Sequence, residues 1–155
     1  MKRTSILLAG VLAGAVSCAS VASAQGGVSS AHVSRSVTVQ LRHTSLGTIL
    51  TSASGLTLYE FTRDRPSQNS CVKLSGCPAA WPALQSSDTP TAGAGVQASL
   101  LSTIRLSGGV KQVTYAGHPL YLFSSEHRPG GTSYVGQQEF GGAWYALNAS
   151  GHAVK

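Results

Sequence analysis

The sequence has little charge: Asp, Glu, Lys and Arg make up only 10% of its 155 residues, while hydrophobic residues make up 42%. A helical bundle would normally carry more Glu and Lys, so this scarcity disfavours a mostly helical fold. The apolar content is too high for a disordered chain. Glycine is plentiful instead, with 18 residues, which suits a turn-rich β protein. The length allows one domain or two very small ones.

The sequence also lacks a hydrophobic run long enough to stay in a bilayer, which needs about 20 residues. The apolar run at residues 6–16 is shorter, follows two basic residues and precedes the small-x-small sequence Ala22-Ser23-Ala24. This order is typical of a signal peptide. It predicts that residues 1–24 are removed and that the mature chain is periplasmic or secreted.

Cysteine is scarce as well, with three residues. Cys18 follows a relaxed match to the sequence at which lipoproteins are cut and acylated, so a membrane-anchored lipoprotein facing the extracytoplasmic side is the alternative. Cleavage after Ala24 instead discards Cys18 and leaves Cys71 and Cys77. An even number suits an oxidising compartment, and we therefore favour the unanchored form.

Positive charge is present but not concentrated. Residues 25–155 carry nine basic residues (11 minus Lys2 and Arg3) against five acids, scattered from Arg35 to Lys155 without a run. Nucleic-acid binding would need a basic stripe, so no nucleic acid is expected as a partner. A mildly basic surface is compatible with association with the cell envelope or a polysaccharide. Nothing in the pattern indicates an oligomeric state.

One motif occurs twice. Residues 55–64 and 117–126 both fit G-x-x-L-Y-x-F-x-x-[DE] without a gap, 62 residues apart, and residues 81–84 match residues 144–147 at a spacing of 63. Two anchors at nearly equal spacing indicate an internal duplication. The equivalent residues are Tyr59 and Tyr121, Phe61 and Phe123, Asp64 and Glu126, and Trp81 and Trp144.

Each motif has the pattern of a strand entered through a tight turn. Tyr59 and Phe61 are two residues apart and therefore project from one face of a strand. Residues 111–115 alternate in polarity and are joined by Ala116-Gly117 to the second motif, which is a hairpin signal. Residues 37–42 and 47–51 are further strand candidates, and residues 102–106 resemble the latter.

These patterns predict an all-β, mostly β fold, in which two similar repeats form one compact β-sandwich or barrel-like domain with few or very short helices. The predicted organisation is a signal peptide at 1–24, an N-terminal segment with one strand at 25–45, repeat 1 at 46–85, a linker at 86–98, repeat 2 at 99–148 and a C-terminal tail at 149–155.

The motifs resemble a known family, the exported bacterial lipoproteins with a Yx(FWY)xxD motif, also described as secreted repeats of unknown function. Residues 59–64 match this motif fully, residues 121–126 match except that Glu126 replaces Asp, and the family's Cys-Cys-Trp-Pro segment is similar to Cys71, Cys77 and Trp81-Pro82. The similarity covers roughly residues 45–147, with a longer gap between the cysteines than the family pattern has. The resemblance implies export and a two-copy module, and it implies no activity.

Few residues fall at spacings that carry chemistry. Cys71 and Cys77 do not form a C-x-x-C pair, and no second pair completes a metal site, so a structural disulfide is predicted over a redox or metal site. Asp64 and Glu126 are expected to cap turns by accepting backbone N–H bonds. The alternative is that the two acids meet across the duplication as a cation site or an acid/base pair.

The five histidines show no H-x-H or H-x-x-x-H spacing, so no metal or other cofactor is predicted. His127 beside Glu126 leaves a copper or haem site as the alternative. No G-x-S-x-G sequence occurs, so no catalytic residue is predicted. The recurring aromatic residues are expected to form the core, with an aromatic cradle for a sugar as the alternative.

We therefore expect an exported extracytoplasmic protein of unknown molecular function, acting as a non-enzymatic binding or structural module. The alternatives are a periplasmic redox accessory that binds copper or haem, and a hydrolase with an unrecognised site.

Overall fold

The computed structural model describes residues 36–155, so the predicted signal peptide and Cys18 lie outside the described residues. The strands are β1 (Thr38–Thr44), β2 (Gly47–Ser52), β3 (Tyr59–Phe61), β4 (Thr91–Ala92), β5 (Leu101–Arg105), β6 (Lys111–Tyr115), β7 (His118–Pro119), β8 (Gln138–Glu139), β9 (Gly142–Leu147) and β10 (Ala153–Val154). The helix α1 spans Cys77–Ala80, and single turns of 3-10 helix span Cys71–Lys73, Ala98–Leu100 and Ser107–Gly109.

A hairpin precedes each copy of the motif. β1 pairs antiparallel with β2, and β5 pairs antiparallel with β6. Gly47 starts β2 with a φ of 97°, a conformation that glycine adopts without steric cost and that the tight turn requires. Residues 102–106 thus occupy the position of β1 in the second hairpin, not the position of residues 47–51. The alternation of polarity is the same in both strands of a hairpin, so it does not distinguish them.

The two motif strands lie beside each other in the middle of the fold. On one side, β3 pairs antiparallel with β9, with Phe61 opposite Trp144, and β9 also pairs with β8 and β10. On the other side, the N–H of Ser124 donates to the carbonyl of Ala80 at 2.9 Å, so residues 120–124 run along residues 80–84. Each motif strand therefore pairs with the tryptophan segment of the other copy.

The interior has an aliphatic part and an aromatic part. The aliphatic part lies between the hairpins and includes Val39, Leu50, Leu58, Val113, Leu120 and Leu147. The second part, here called the aromatic cluster, consists of Tyr59, Phe61, Trp81, Tyr121 and Trp144 together with Cys71 and Cys77. Since each large aromatic side chain buries roughly 150–250 Å², this cluster contributes a large share of the buried apolar surface.

The all-β prediction is confirmed, and the three sheets formed by residues 36–155 do not close into a barrel. The segment expected to be a linker contains β4, which pairs parallel with β1, and the segment expected to be a tail contains β10. Strands of two residues are too short for a period-2 pattern to reveal them. No described helix has the length and hydropathy needed to cross a membrane.

Cys71 and Cys77 form a disulfide, as predicted. Both residues are buried against the aromatic cluster. The loop that they close contains one turn of 3-10 helix and leads through α1 directly to Trp81. The disulfide therefore restrains the segment that precedes Trp81, one of the two tryptophans of the core.

Reducing this disulfide should lower the free energy of unfolding by roughly 2 kcal/mol, because the cross-link restricts the unfolded chain. Urea unfolding of the oxidised chain, compared with the same chain in a thiol reductant, measures this without changing any side chain. A Cys71→Ala/Cys77→Ala double variant should lose at least as much. A urea midpoint that does not move on reduction would contradict the stabilising role.

Candidate functional site

The two motif tyrosines meet backbone to backbone. The N–H of Tyr59 donates to the carbonyl of Tyr121, and the N–H of Tyr121 donates to the carbonyl of Tyr59, both at 2.9 Å. Equivalent residues of the two copies therefore pair with each other, as equivalent residues do across a twofold axis. We call this reciprocal pair, Tyr59 and Tyr121, the tyrosine crossing.

Three rings form a stack beside the tyrosine crossing, and a fourth ring packs at a tilt against one end of it. Trp81 and Trp144 lie face to face, with ring centroids 3.9 Å apart and planes 3° from parallel. Phe61 stacks on the outer face of Trp144 at 4.2 Å, and Phe123 lies 4.6 Å from Trp81. The phenylalanine of each copy thus covers the tryptophan of the other copy.

The tyrosine rings contact the same stack by their edges. Tyr59 lies 5.1 Å from Trp81 and Tyr121 lies 5.2 Å from Trp144, both in T-shaped geometry. Such aromatic pairs add about 0.5–1.5 kcal/mol each beyond their buried area. All four side chains are 0% exposed, so they offer no open face for the sugar cradle that was considered as an alternative.

The hydroxyl of each motif tyrosine bonds to the acid of the other copy. Tyr59 Oη donates to Glu126 Oε1 at 3.1 Å, and Tyr121 Oη donates to Asp64 Oδ2 at 2.7 Å. The backbone, the phenylalanine rings and the hydroxyls of each copy therefore all have partners in the other copy. The polar atoms of the motif are used inside the fold.

Each acid also accepts a backbone N–H bond, but from different places. Asp64 Oδ1 accepts from Ser70 at 2.6 Å, within the loop that follows its own strand. Glu126 Oε2 accepts from Thr57 of the other copy at 3.2 Å. Asp64 thus bonds the backbone of its own loop, as turn capping requires, whereas Glu126 bonds a backbone group 69 residues away.

Burial dominates the acid–base properties of this group. Loss of solvation raises the pKa of Asp64 and Glu126, and the hydrogen bonds that they accept oppose this rise. Loss of solvation also raises the pKa of Tyr59 and Tyr121 far above the ordinary value of about 10, and the adjacent carboxylates raise it further. Both tyrosines therefore remain hydrogen-bond donors across the physiological pH range.

A polar pair that the motif analysis missed lies next to the tyrosine crossing. His118 Nδ1 lies 2.5 Å from Glu60 Oε2; the Glu60 side chain is buried and that of His118 is half-buried. The hydrogen bond to Glu60 raises the pKa of His118, against the opposing effect of burial. The equivalent positions of the other copy, 62 residues away, hold Leu122 and Leu56. Comparing the copies position by position would have found the pair, because both polar residues stand in place of leucine.

The residues around Glu126 line an open cavity of about 200 Å³. Glu126 and His127 both line it, together with Ser125, Arg128, Gly131, Ser133 and Tyr134, whereas Asp64 does not. The structure therefore does not bring Asp64 and Glu126 to one cation site or acid/base pair. Within residues 36–155, no group of three or more His, Cys, Asp or Glu side chains could hold a metal ion.

Residues 102–148 match the sequence model of a family described as a secreted repeat of unknown function. The match covers most of the second hairpin and the whole second motif, and it confirms the resemblance that the motifs indicated. The description gives the family as secreted and assigns it no activity. No curated protein and no solved structure matches this chain.

Removing one crossing hydroxyl should destabilise the fold. Tyr121→Phe should lower the free energy of unfolding by about 1–3 kcal/mol, because the partly buried carboxylate of Asp64 loses a donor. Tyr59→Phe should act in the same way through Glu126. Tyr145→Phe is the control, since the Tyr145 hydroxyl has no hydrogen-bond partner in the described part of the chain. Urea unfolding measures the three variants, and equal losses in all of them would argue against a special role for the crossing bonds.

The Glu60–His118 pair should make stability fall as the pH rises above neutrality. The folded-state pKa of His118 exceeds its unfolded value of about 6.5, so the folded chain holds this proton more tightly. The stabilisation is fully present below pH of about 6.5 and is lost as the pH rises through the folded-state pKa.

Thermal unfolding followed in steps above pH of about 6.5 measures this loss. The Tm should fall less steeply for His118→Gln than for the unchanged chain. His152→Gln is the control, because His152 is an exposed histidine and the one described histidine ion pair involves His118. Parallel Tm curves for His118→Gln and the unchanged chain would refute the assignment.

Proposed function

We propose that this chain is an exported, non-enzymatic extracytoplasmic module, whose duplicated motif builds the core and whose loops carry any binding. The observation that carries this proposal is the reciprocal use of the motif's polar atoms. Tyr59 bonds Glu126 and Tyr121 bonds Asp64, and the four residues lie inside the fold or at its edge. A catalytic acid, base or nucleophile needs access to a substrate, and these groups already serve each other.

Export is supported by two independent features. The disulfide between Cys71 and Cys77 is a bond that persists in oxidising compartments and is rare in the cytosol. The family that matches residues 102–148 is described as secreted. We propose that residues 1–24 act as the signal peptide and that the mature chain resides in the periplasm or outside the cell, without an anchor at Cys18.

The copper or haem alternative depends on His127 and Glu126. Both line the same cavity, but the Glu126 carboxylate already accepts bonds from Tyr59 and Thr57. A metal would have to compete with these donors for the carboxylate oxygens, with a single histidine beside it. Stable transition-metal sites in proteins usually combine more side-chain ligands than this, so we do not adopt this alternative.

Protein recovered from the envelope and medium of the producing cell should start at Gln25, carry no acyl group and contain no free thiol. Intact mass with thiol labelling measures all three properties. Metal analysis and an absorption spectrum of the same material should show neither bound copper nor a haem band.

Each contrary result has a defined meaning. An acylated N-terminal Cys18 would replace the unanchored form by a lipoprotein. A visible band or stoichiometric copper would replace the binding module by a redox accessory. Turnover of a hydrolytic substrate that is abolished by a serine or aspartate substitution would overturn the non-enzymatic assignment.

A further inference from the structure

All five acidic residues of the chain have a partner within the protein. Two of them, Asp64 and Glu126, accept hydrogen bonds from the tyrosines of the tyrosine crossing. The remaining three have other partners. Glu60 pairs with His118, Glu139 Oε2 accepts from Trp81 Nε1 at 2.8 Å, and Asp88 Oδ2 accepts from Ser87 at 3.0 Å. Each of the five carboxylates therefore has a contact within the protein, and Glu60 and Glu126 are buried.

The lysines and arginines, in contrast to the acids, lie mostly on the surface. The one ion pair within residues 36–155 joins His118 to Glu60, so no Lys or Arg of this region has a carboxylate partner. Their side chains are nearly all exposed: Arg42, Arg63, Arg65, Lys73, Arg105, Arg128 and Lys155. The described surface thus carries unneutralised positive charge, which attracts anionic partners.

Two of these arginines, Arg42 and Arg128, lie at one loop, residues 127–131. A Cβ placed on Gly130 would lie 2.9 Å from Cδ of Arg42, and one placed on Gly55 would lie 2.6 Å from its Nη2. The Arg42 side chain therefore lies across both glycines, against the loop that carries Arg128. Positive charge from β1 and from the loop meets at this place.

The loop itself is held in position by the first motif. The N–H of Gly130 donates to the carbonyl of Gly55 at 2.8 Å, and Thr57 Oγ1 donates to the carbonyl of Gly131 at 2.6 Å. Backbone bonds at two successive residues limit the movement of the loop. A preorganised loop reduces the entropy lost when a ligand binds.

The same loop forms one wall of the cavity of about 200 Å³. Five side chains around this cavity have no hydrogen-bond partner in the part of the chain that the structure covers. All five carry N–H or O–H donors: Ser125, His127, Arg128, Ser133 and Tyr134. Unused donors from two stretches of chain thus converge on one space.

The floor and the apolar wall of the cavity complete the site. Glu126 is 6% exposed and bonds inward to Tyr59 and Thr57. Gly131 covers this carboxylate closely, since a Cβ on Gly131 would lie 2.5 Å from Oε1. The Tyr134 ring, packed 3.8 Å from that of Phe123, supplies apolar surface beside the donors.

We infer that this cavity binds an acidic saccharide, with one sugar ring among the hydroxyl donors and its carboxylate held by Arg128, the arginine that lines the cavity. A sugar presents many acceptor oxygens together with an apolar ring face, which matches donors beside an aromatic ring. Arginine is the side chain best suited to hold a carboxylate, because its guanidinium can donate two parallel bonds. The cavity is smaller than the roughly 300–1,000 Å³ that drug-sized ligands occupy, so it takes a single ring of a longer chain.

This inference rests on the proposed function, because it names the ligand class of the same binding module. It is tested with the mature chain, residues 25–155, titrated calorimetrically with a trimer of galacturonic acid at low ionic strength. Arg128→Gln should weaken binding by about tenfold or more, the usual effect of losing a charge-assisted hydrogen bond. Arg42 lies against the loop at Gly130 but does not line the cavity, so Arg42→Gln should weaken binding by a smaller factor through the loss of nearby positive charge. Tyr134→Phe should weaken it by a smaller factor, since it removes a neutral donor.

Arg105→Gln is the matched control. Arg105 is exposed on β5, does not line the cavity, and its substitution changes the net charge by the same amount. Binding by this variant should equal that of the unchanged chain, and unchanged thermal unfolding of every variant shows that the fold is retained.

Four outcomes would overturn the inference. They are no measurable heat with the trimer, an equal loss in Arg105→Gln, equal affinity for a neutral galactose trimer, and displacement of the trimer by inorganic phosphate at similar concentration. The proposed function has separate readouts, namely the mature N-terminus, the thiols and the metal content. A failure of the ligand assignment is therefore distinguishable from a failure of the module assignment.

Discussion

The hydrogen bond from each motif tyrosine to the acid of the other copy is the constraint on which the rest of the structure depends. A buried hydroxyl or carboxylate without its partner costs about 1–3 kcal/mol. Tyr59 finds its acceptor at Glu126 and Tyr121 finds its acceptor at Asp64, so neither copy satisfies its own polar core. The ring stack has the same property, because each tryptophan is covered by the phenylalanine of the other copy. The two copies therefore form one interior and not two adjoining ones.

Away from the tyrosine crossing the copies have diverged, and each difference fits its surroundings. The disulfide of the first copy has an aromatic counterpart in the second, where two rings pack against the aromatic cluster in place of the cross-link. Buried Gln112, which bonds Asn69 and the carbonyl of Leu120, stands where the first copy has a leucine. The equivalent positions that differ are Cys71 and Tyr134, Cys77 and Phe140, Leu50 and Gln112, Glu60 and Leu122, and Leu56 and His118.

The features that the sequence predicted are those with local or repeated signals. Alternating polarity at residues 111–115 followed by Ala116-Gly117 predicted the hairpin of β6 and β7, and the spacing of Tyr59 and Phe61 predicted their shared face. The sequence did not predict that each tyrosine bonds the acid of the other copy. Asp64 lies five residues after Tyr59 and 57 residues before Tyr121, its actual partner. A contact within the same turn was therefore the simpler expectation. The pairing of β4 with β1 is likewise non-local, and two residues give no period. The Glu60–His118 pair was missed because each residue alone resembles an ordinary surface residue.

The core takes up two of the five acids, Glu60 and Glu126, while nearly all described arginines and lysines stay on the surface, and this separates the two tasks of the chain. Buried carboxylates are tolerated only where donors surround them, and tyrosines whose pKa lies far above neutrality supply such donors without titrating. The loop at residues 127–131 is anchored to the first motif by backbone and threonine bonds, while its basic side chains face outward. The duplication thus supplies a rigid support, and the chemistry of recognition depends on the few loop side chains that the core does not use.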